Sequence, residues 1–111
     1  MTLGCQTYSQ SEVISFMLHA TNRDVTYRLG AQLAAAKLNI SCNGTDPSCV
    51  QSAIEAADAW LCRHPIGSHV RADSAAWHEI SATYNTLVEY NSGHLCAPAA
   101  LRLNHLQSFA Y

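Results

Sequence analysis

Apolar residues recur at helical spacing in four separate stretches of this chain, and no stretch of strand length alternates with period two. That pattern confines the fold to an all-α arrangement of four helices. Ser9-Gln10-Ser11-Glu12 forms a capping box, in which the Ser9 hydroxyl accepts from the Glu12 amide while the Glu12 carboxylate reaches back to the Ser9 amide. A first helix starts there, carries Val13, Ile14, Met17 and Leu18, and is ended by polar Thr21-Asn22-Arg23-Asp24. Val25, Leu29, Leu33, Ala36 and Ile40 mark the inner face of a second helix, where Gly30, Ala31 and Ala34 let a neighbour come close. Asp46-Pro47 pairs an N-cap with a first-turn proline and opens a third helix, with Val50, Ile54, Ala57, Trp60 and Leu61 inward. It stops before Pro65. Asp73 or Ser74 caps a fourth helix with Trp77, Ile80, Tyr84, Leu87 and Val88 inward, closed by Asn91-Ser92-Gly93. Short connections favour antiparallel neighbours, so we expect a small four-helix up-down bundle over residues 1–96, followed by an ordered C-terminal segment over 97–111.

Five cysteines add a covalent constraint. None falls in a CxxC or paired-knuckle zinc spacing, and five in a short chain fit a disulfide framework with one thiol left over. In an up-down bundle Cys5, Cys42, Cys49 and Cys96 lie at one pole, while Cys62 ends the third helix at the other. Helices of this length separate the poles by roughly 18–25 Å, whereas a disulfide needs Cα atoms within about 7 Å. Cys62 is therefore the expected free thiol. Of the three ways to pair the other four we favour Cys42–Cys49 with Cys5–Cys96; the alternative is five reduced, small apolar side chains.

Composition narrows the setting. A chain of 111 residues makes one domain, and Lys+Arg 6 against Asp+Glu 8 leaves a net charge of -2, so no nucleic-acid or anionic-membrane partner is expected. Charged residues are 13 % and hydrophobic residues 49 % of the chain, which predicts an unusually neutral surface. No transmembrane segment is expected, because Arg28, Lys37 and Asn39 interrupt the longest apolar run. The cysteines point to an oxidising, secreted or cell-surface location. The chain opens Met1-Thr2-Leu3-Gly4-Cys5 with no charged and apolar leader, so the export signal is expected outside the numbered chain or export by another route.

The segments Leu3-Gly4, Thr7-Tyr8-Ser9-Gln10-Ser11-Glu12, Gly30-Ala31-Gln32-Leu33-Ala34-Ala35-Ala36-Lys37-Leu38-Asn39, Ala53-Ile54-Glu55-Ala56-Ala57-Asp58-Ala59 and Tyr90-Asn91-Ser92-Gly93 occur in this order. Together they resemble an alanine-rich helical domain of unknown function found in predicted secreted and cell-surface bacterial proteins. The resemblance covers roughly residues 3–96, and the stretch around Ala31–Asn39 is its most specific part. It implies export and an extracellular setting, and it carries no catalytic residues. The aromatic segment that often precedes such domains does not occur in this chain.

Candidate sites are few. The pole opposite the expected disulfides collects His19, Asp24, Cys62, His64 and His69, donors that suit Zn²⁺ or Cu²⁺, against the simpler expectation of solvated loop histidines and no cofactor. Neither a serine elbow nor a phosphate-cradling glycine loop occurs, so no enzyme is expected. Glu55, Asp58, Glu79 and Glu89 read as solvated helix faces, and Trp60 with Trp77 as core rather than a ligand groove. Asn39-Ile40-Ser41 and Asn43-Gly44-Thr45 match the glycosylation pattern by chance. Segment 97–111 leaves Leu101, Leu103, Leu106, Phe109 and Tyr111 unclaimed by the bundle. An apolar tail on a charge-poor domain suggests docking to a protein partner or self-assembly, with a fold back over its own bundle as the alternative. The expected function is a non-enzymatic structural or interaction module of an extracellular, cell-surface or membrane-associated assembly. A small-ligand or metal-binding secreted protein using the His/Cys pole is the competing one.

Overall fold

The computed structural model describes residues 1–18, 23–43 and 47–95, except for the side chains of residues 42 and 43. Within them, a short hairpin precedes four α-helices. Strands β1 (Thr2–Leu3) and β2 (Gln6–Thr7) pair antiparallel, Thr2 opposite Thr7 and Leu3 opposite Gln6. Gly4 turns the hairpin at φ 68°, a left-handed conformation that a side chain disfavours. Two-residue strands are too short to show a sequence period, and the all-α expectation passed over them.

Helix α1 (Gln10–Leu18) begins at the expected capping box. The Ser9 amide donates to Glu12 Oε1 at 2.8 Å, and the Glu12 amide donates to Ser9 Oγ at 3.2 Å. Helix α2 (Val25–Asn43) is capped by Asp24, whose Oδ1 accepts from the Thr26 amide at 3.1 Å and the Thr26 hydroxyl at 2.6 Å. Helix α3 (Gln51–Arg63) starts after a turn in which the Val50 amide donates to the Pro47 carbonyl; no side chain caps it. Pro47 is thus outside the helix that it was expected to open, and Asp46 lies outside the described residues. Helix α4 (Ala75–Asn91) is capped by Ser74, which accepts from the Trp77 amide. Asp73, the other expected cap, instead pairs with Arg71 at 3.0 Å. At the far end the Gly93 amide donates to Tyr90 and the His94 amide to Glu89, a Schellman closure with Gly93 at φ 80°.

Helix α2 is the centre of the molecule. It packs against α1, α3, α4 and β1, so it is buried on nearly every side, as its run of alanine and leucine requires. Leu29, Leu33, Ala34, Ala35 and Ala36 are fully buried. Facing them are Ile54, Ala57, Trp60 and Leu61 of α3 and Trp77, Ile80, Tyr84, Leu87 and Tyr90 of α4. Trp60 and Trp77 meet edge to face at 6.1 Å, and Trp60 Nε1 donates to the Ala76 carbonyl. The tryptophans therefore hold α3 against α4 and leave no groove between their rings. The Arg28 guanidinium spreads over Tyr84 at 4.9 Å and Trp77 at 5.9 Å, joining α2 to α4.

A buried amide cluster completes the α2–α4 contact. Asn39 Nδ2 donates to Asn91 Oδ1 at 3.2 Å, and Asn91 Nδ2 donates to both the Gln32 carbonyl and Gln32 Oε1. All three residues are buried. Each partner satisfies another's desolvated amide, so the cluster specifies one register of α2 against α4. The burial of Asn39 also removes it as a glycosylation acceptor.

Candidate functional site

The first correction concerns the cysteines. Cys5 is bonded to Cys62, with Cα atoms 4.9 Å apart. Cys62 is therefore not a free thiol, and Cys5 does not pair with Cys96. The expectation placed the start of the chain at the pole away from Cys62, as a simple extension of the first helix. The hairpin instead folds back across α2 and the C-terminal end of α3. Gly4 sits so close there that a Cβ would lie 2.8 Å from the Leu61 backbone carbon. Cys49 is also disulfide-bonded. The expected Cys42–Cys49 bridge and the partnership of Cys96 fall on side chains outside the described residues.

Polar contacts surround the bridge. The Gly4 amide donates to Asp58 Oδ1 at 2.8 Å, and Lys37 Nζ donates to the same oxygen at 3.0 Å and to the Thr2 carbonyl at 2.8 Å. Lys37 and Asp58 form an ion pair at 2.9 Å with about a quarter of each side chain exposed. One carboxylate on α3 and one ammonium on α2 thus hold β1 and the turn that follows it. Asp58 is not a solvated face residue as its helical position suggested. Glu79 does lie at the surface, paired with Arg63 at 2.7 Å, and Glu55 and Glu89 are exposed.

The proposed metal pole is put to other use. Cys62 is oxidised in the bridge and offers no thiolate. Asp24 is buried, and besides capping α2 it accepts from the His69 amide at 3.1 Å and the Val70 amide at 3.3 Å. With the Gly67 amide donating to Thr26 Oγ1, these bonds pin the loop between α3 and α4 over the start of α2. The His64 ring packs on Trp60 at 4.5 Å between centroids, and His69 is exposed at φ 65°. His19 lies outside the described residues. Among the described residues, no three His, Cys, Asp or Glu side chains converge as metal ligands.

The surface feature that stands out is on α1. Val13 is buried and Phe16 and Met17 are half-buried, but Ile14 and Leu18 are 47 % and 48 % exposed. The apolar residues that recur at helical spacing on this helix are therefore divided between core and solvent. Phe16 anchors the helix, meeting Tyr8 edge to face at 5.0 Å and Tyr27 at 5.7 Å. Burial beside Glu12 raises the Tyr8 hydroxyl above its usual pKa of 10.0. Beside Ile14 runs an apolar groove of about 270 Å³ between the hairpin, α1 and α2, lined by Met1, Gln10, Val13, Ile14, Met17 and Leu38. Sequence periodicity marked these α1 positions as apolar. It carried no signal for which of them α2 would cover.

Leu101, Leu103, Leu106, Phe109 and Tyr111, expected to mediate docking, lie outside the described residues. No helix among the described residues is long and apolar enough to cross a membrane. Comparison of the chain with protein-family models, curated proteins and solved structures finds no match.

Proposed function

We propose that this chain is a non-enzymatic interaction module that docks, through the apolar face of α1 and segment 97–111, into an extracellular, cell-surface or membrane-associated protein assembly. The observation that carries this reading is the exposure of Ile14 and Leu18 one helical turn apart beside an apolar groove. Isolated apolar side chains are ordinary on a surface, whereas neighbouring ones bordering a groove mark contact sites. A charged fraction of 13 % offers little else to recognise a partner by. The Cys5–Cys62 bridge and the oxidised Cys49 favour an oxidising compartment. The resemblance to alanine-rich helical domains of secreted bacterial proteins is in keeping with that setting.

The test is purification of the assembly from the native source with the wild-type chain and with Ile14→Glu/Leu18→Glu. The double variant should lose its co-purifying partner while keeping the wild-type unfolding midpoint, and Asn85→Glu on exposed α4 surface should lose nothing. Full retention of the partner by the α1 variant would overturn the proposal.

A further inference from the structure

Strand β1 lies against α2 with Leu3 only 1 % exposed, and Cys5 in the turn after it is bonded to Cys62 in the last turn of α3. We infer that the hairpin is a redox-controlled strap: reduction of Cys5–Cys62 by a dithiol lets it lift, and the apolar surface of α2 beneath it opens as one trough between α1 and α3. This goes beyond the docking reading and stands whether or not a partner binds Ile14 and Leu18.

What the strap covers shows on either side of Met1. One side is the groove of about 270 Å³ described above, with Val13, Met17 and Leu38. On the other, Met1 borders a second groove of about 500 Å³, lined by Lys37 and Ile40 of α2 and Gln51 and Ile54 of α3. Met1 is thus the partition between them. Met1 and Leu3 both pack against the core, so withdrawing them joins the two grooves through the space that Leu3 fills. In the bridged chain the occupant of that trough is the protein's own hairpin.

Little besides the bridge holds the strap down. Each strand has two residues, and a ribbon of two strands is marginal in water by itself. Thr2, Cys5, Gln6 and Thr7 are exposed. Among the described residues, its polar ties to the helices are the Gly4 amide on Asp58 and Lys37 on the Thr2 carbonyl. Segments with so few buried contacts sit at the low end of local stability. The Tyr8–Phe16 contact fixes the base of the hairpin on α1, so the strap pivots there. The bridge is also open to attack, since Cys5 is exposed and Cys62 half-buried. One thiolate of the dithiol attacks the Cys5 sulfur, and Cys62 leaves as a thiolate and takes up a proton. The second thiol then attacks the mixed disulfide and frees Cys5 as a thiol. Two electrons pass from the dithiol, which becomes a disulfide, and its two protons end on Cys5 and Cys62.

The test uses the full chain in three forms: oxidised, reduced with dithiothreitol, and as Cys5→Ser/Cys62→Ser. Cys49→Ser, which removes the other bridge alone, is the control. In the reduced chain and the double variant, backbone amide order parameters of residues 2–7 should fall from about 0.85 to below about 0.6, while those of residues 80–90 in α4 stay unchanged. Binding of the apolar dye anilinonaphthalenesulfonate should rise about fivefold in both, and Cys49→Ser should match the oxidised wild type. Order retained over residues 2–7 in both the reduced chain and the double variant would overturn the inference, because the strap then needs no latch. Loss of order in α4 alongside the hairpin would also overturn it, since the bridge then supports the whole fold. A lifted hairpin with no added dye binding means that no trough opens, and the same changes in Cys49→Ser mean that Cys5–Cys62 is not the latch; either result sinks the proposal.

Discussion

Asp58 shows how one side chain holds two elements to a third. Its carboxylate accepts from the Gly4 amide and pairs with Lys37, which itself donates to Thr2. Asp58→Ala leaves a close-packed amide without its acceptor and should lower stability by about 1–2 kcal/mol in urea unfolding. Asp58→Asn keeps a carbonyl oxygen for Gly4 and loses only a partly exposed ion pair, so its cost should stay below about 1 kcal/mol. Asn91→Ala removes both the acceptor for Asn39 and the donor to Gln32 inside the core. It should cost about 1–3 kcal/mol by the same measurement. These residues were legible to different degrees. Gln32 and Asn39 stand seven apart, on one face of α2, but Arg28 and Lys37 share that helix, so spacing alone did not mark these two amides as buried. Asp58 looked like any exposed carboxylate, because its partners come from a hairpin that no local pattern announces.

Elements were readable wherever a cap was written into the chain. Ser9 with Glu12, Ser74, and Gly93 each perform the terminal role that their residue types imply. Asp24 was read as the end of α1 and a metal donor; the same short carboxylate is the N-cap of α2 and the anchor of a distant loop. Pairwise chemistry of that kind depends on which loop arrives, which spacing alone does not carry. The capping box also makes α1 sensitive to acid. Hydrogen bonds from Ser9 hold the Glu12 carboxyl below its ordinary pKa of 4.5. A depressed folded-state value contributes stability above the unfolded pKa and loses it as pH falls through the folded one. The helical chemical shifts of α1 should therefore weaken as the pH is taken below about 4.5 while those of α4 hold. Glu12→Gln should abolish that pH dependence.

For the whole molecule the decisive contact is the Cys5–Cys62 bridge, which spans 57 residues of sequence. On the chain-entropy account, closing a loop of that length contributes about 4 kcal/mol. Cys5→Ser/Cys62→Ser should lower the unfolding free energy by about that amount, and a non-reducing peptide map should link the two cysteine peptides. Four helices, their order and most of the core could be read from periodicity, since α2, α3 and α4 each bury a continuous stripe. The bridge could not, because assigning Cys5 to a pole requires knowing that the chain doubles back before its first helix.

The same bridge makes a closed ring of α1, α2 and most of α3. Tension applied between Met1 and Leu95 would cross from Cys5 to Cys62 through sulfur and load only residues 1–4 and 63–95, α4 among them. About 200 Å of contour length stays locked away from such a pull. An oxidised module strung into a larger assembly could thus be stretched without disturbing the helix that carries Ile14 and Leu18, and reduction would release that length at once.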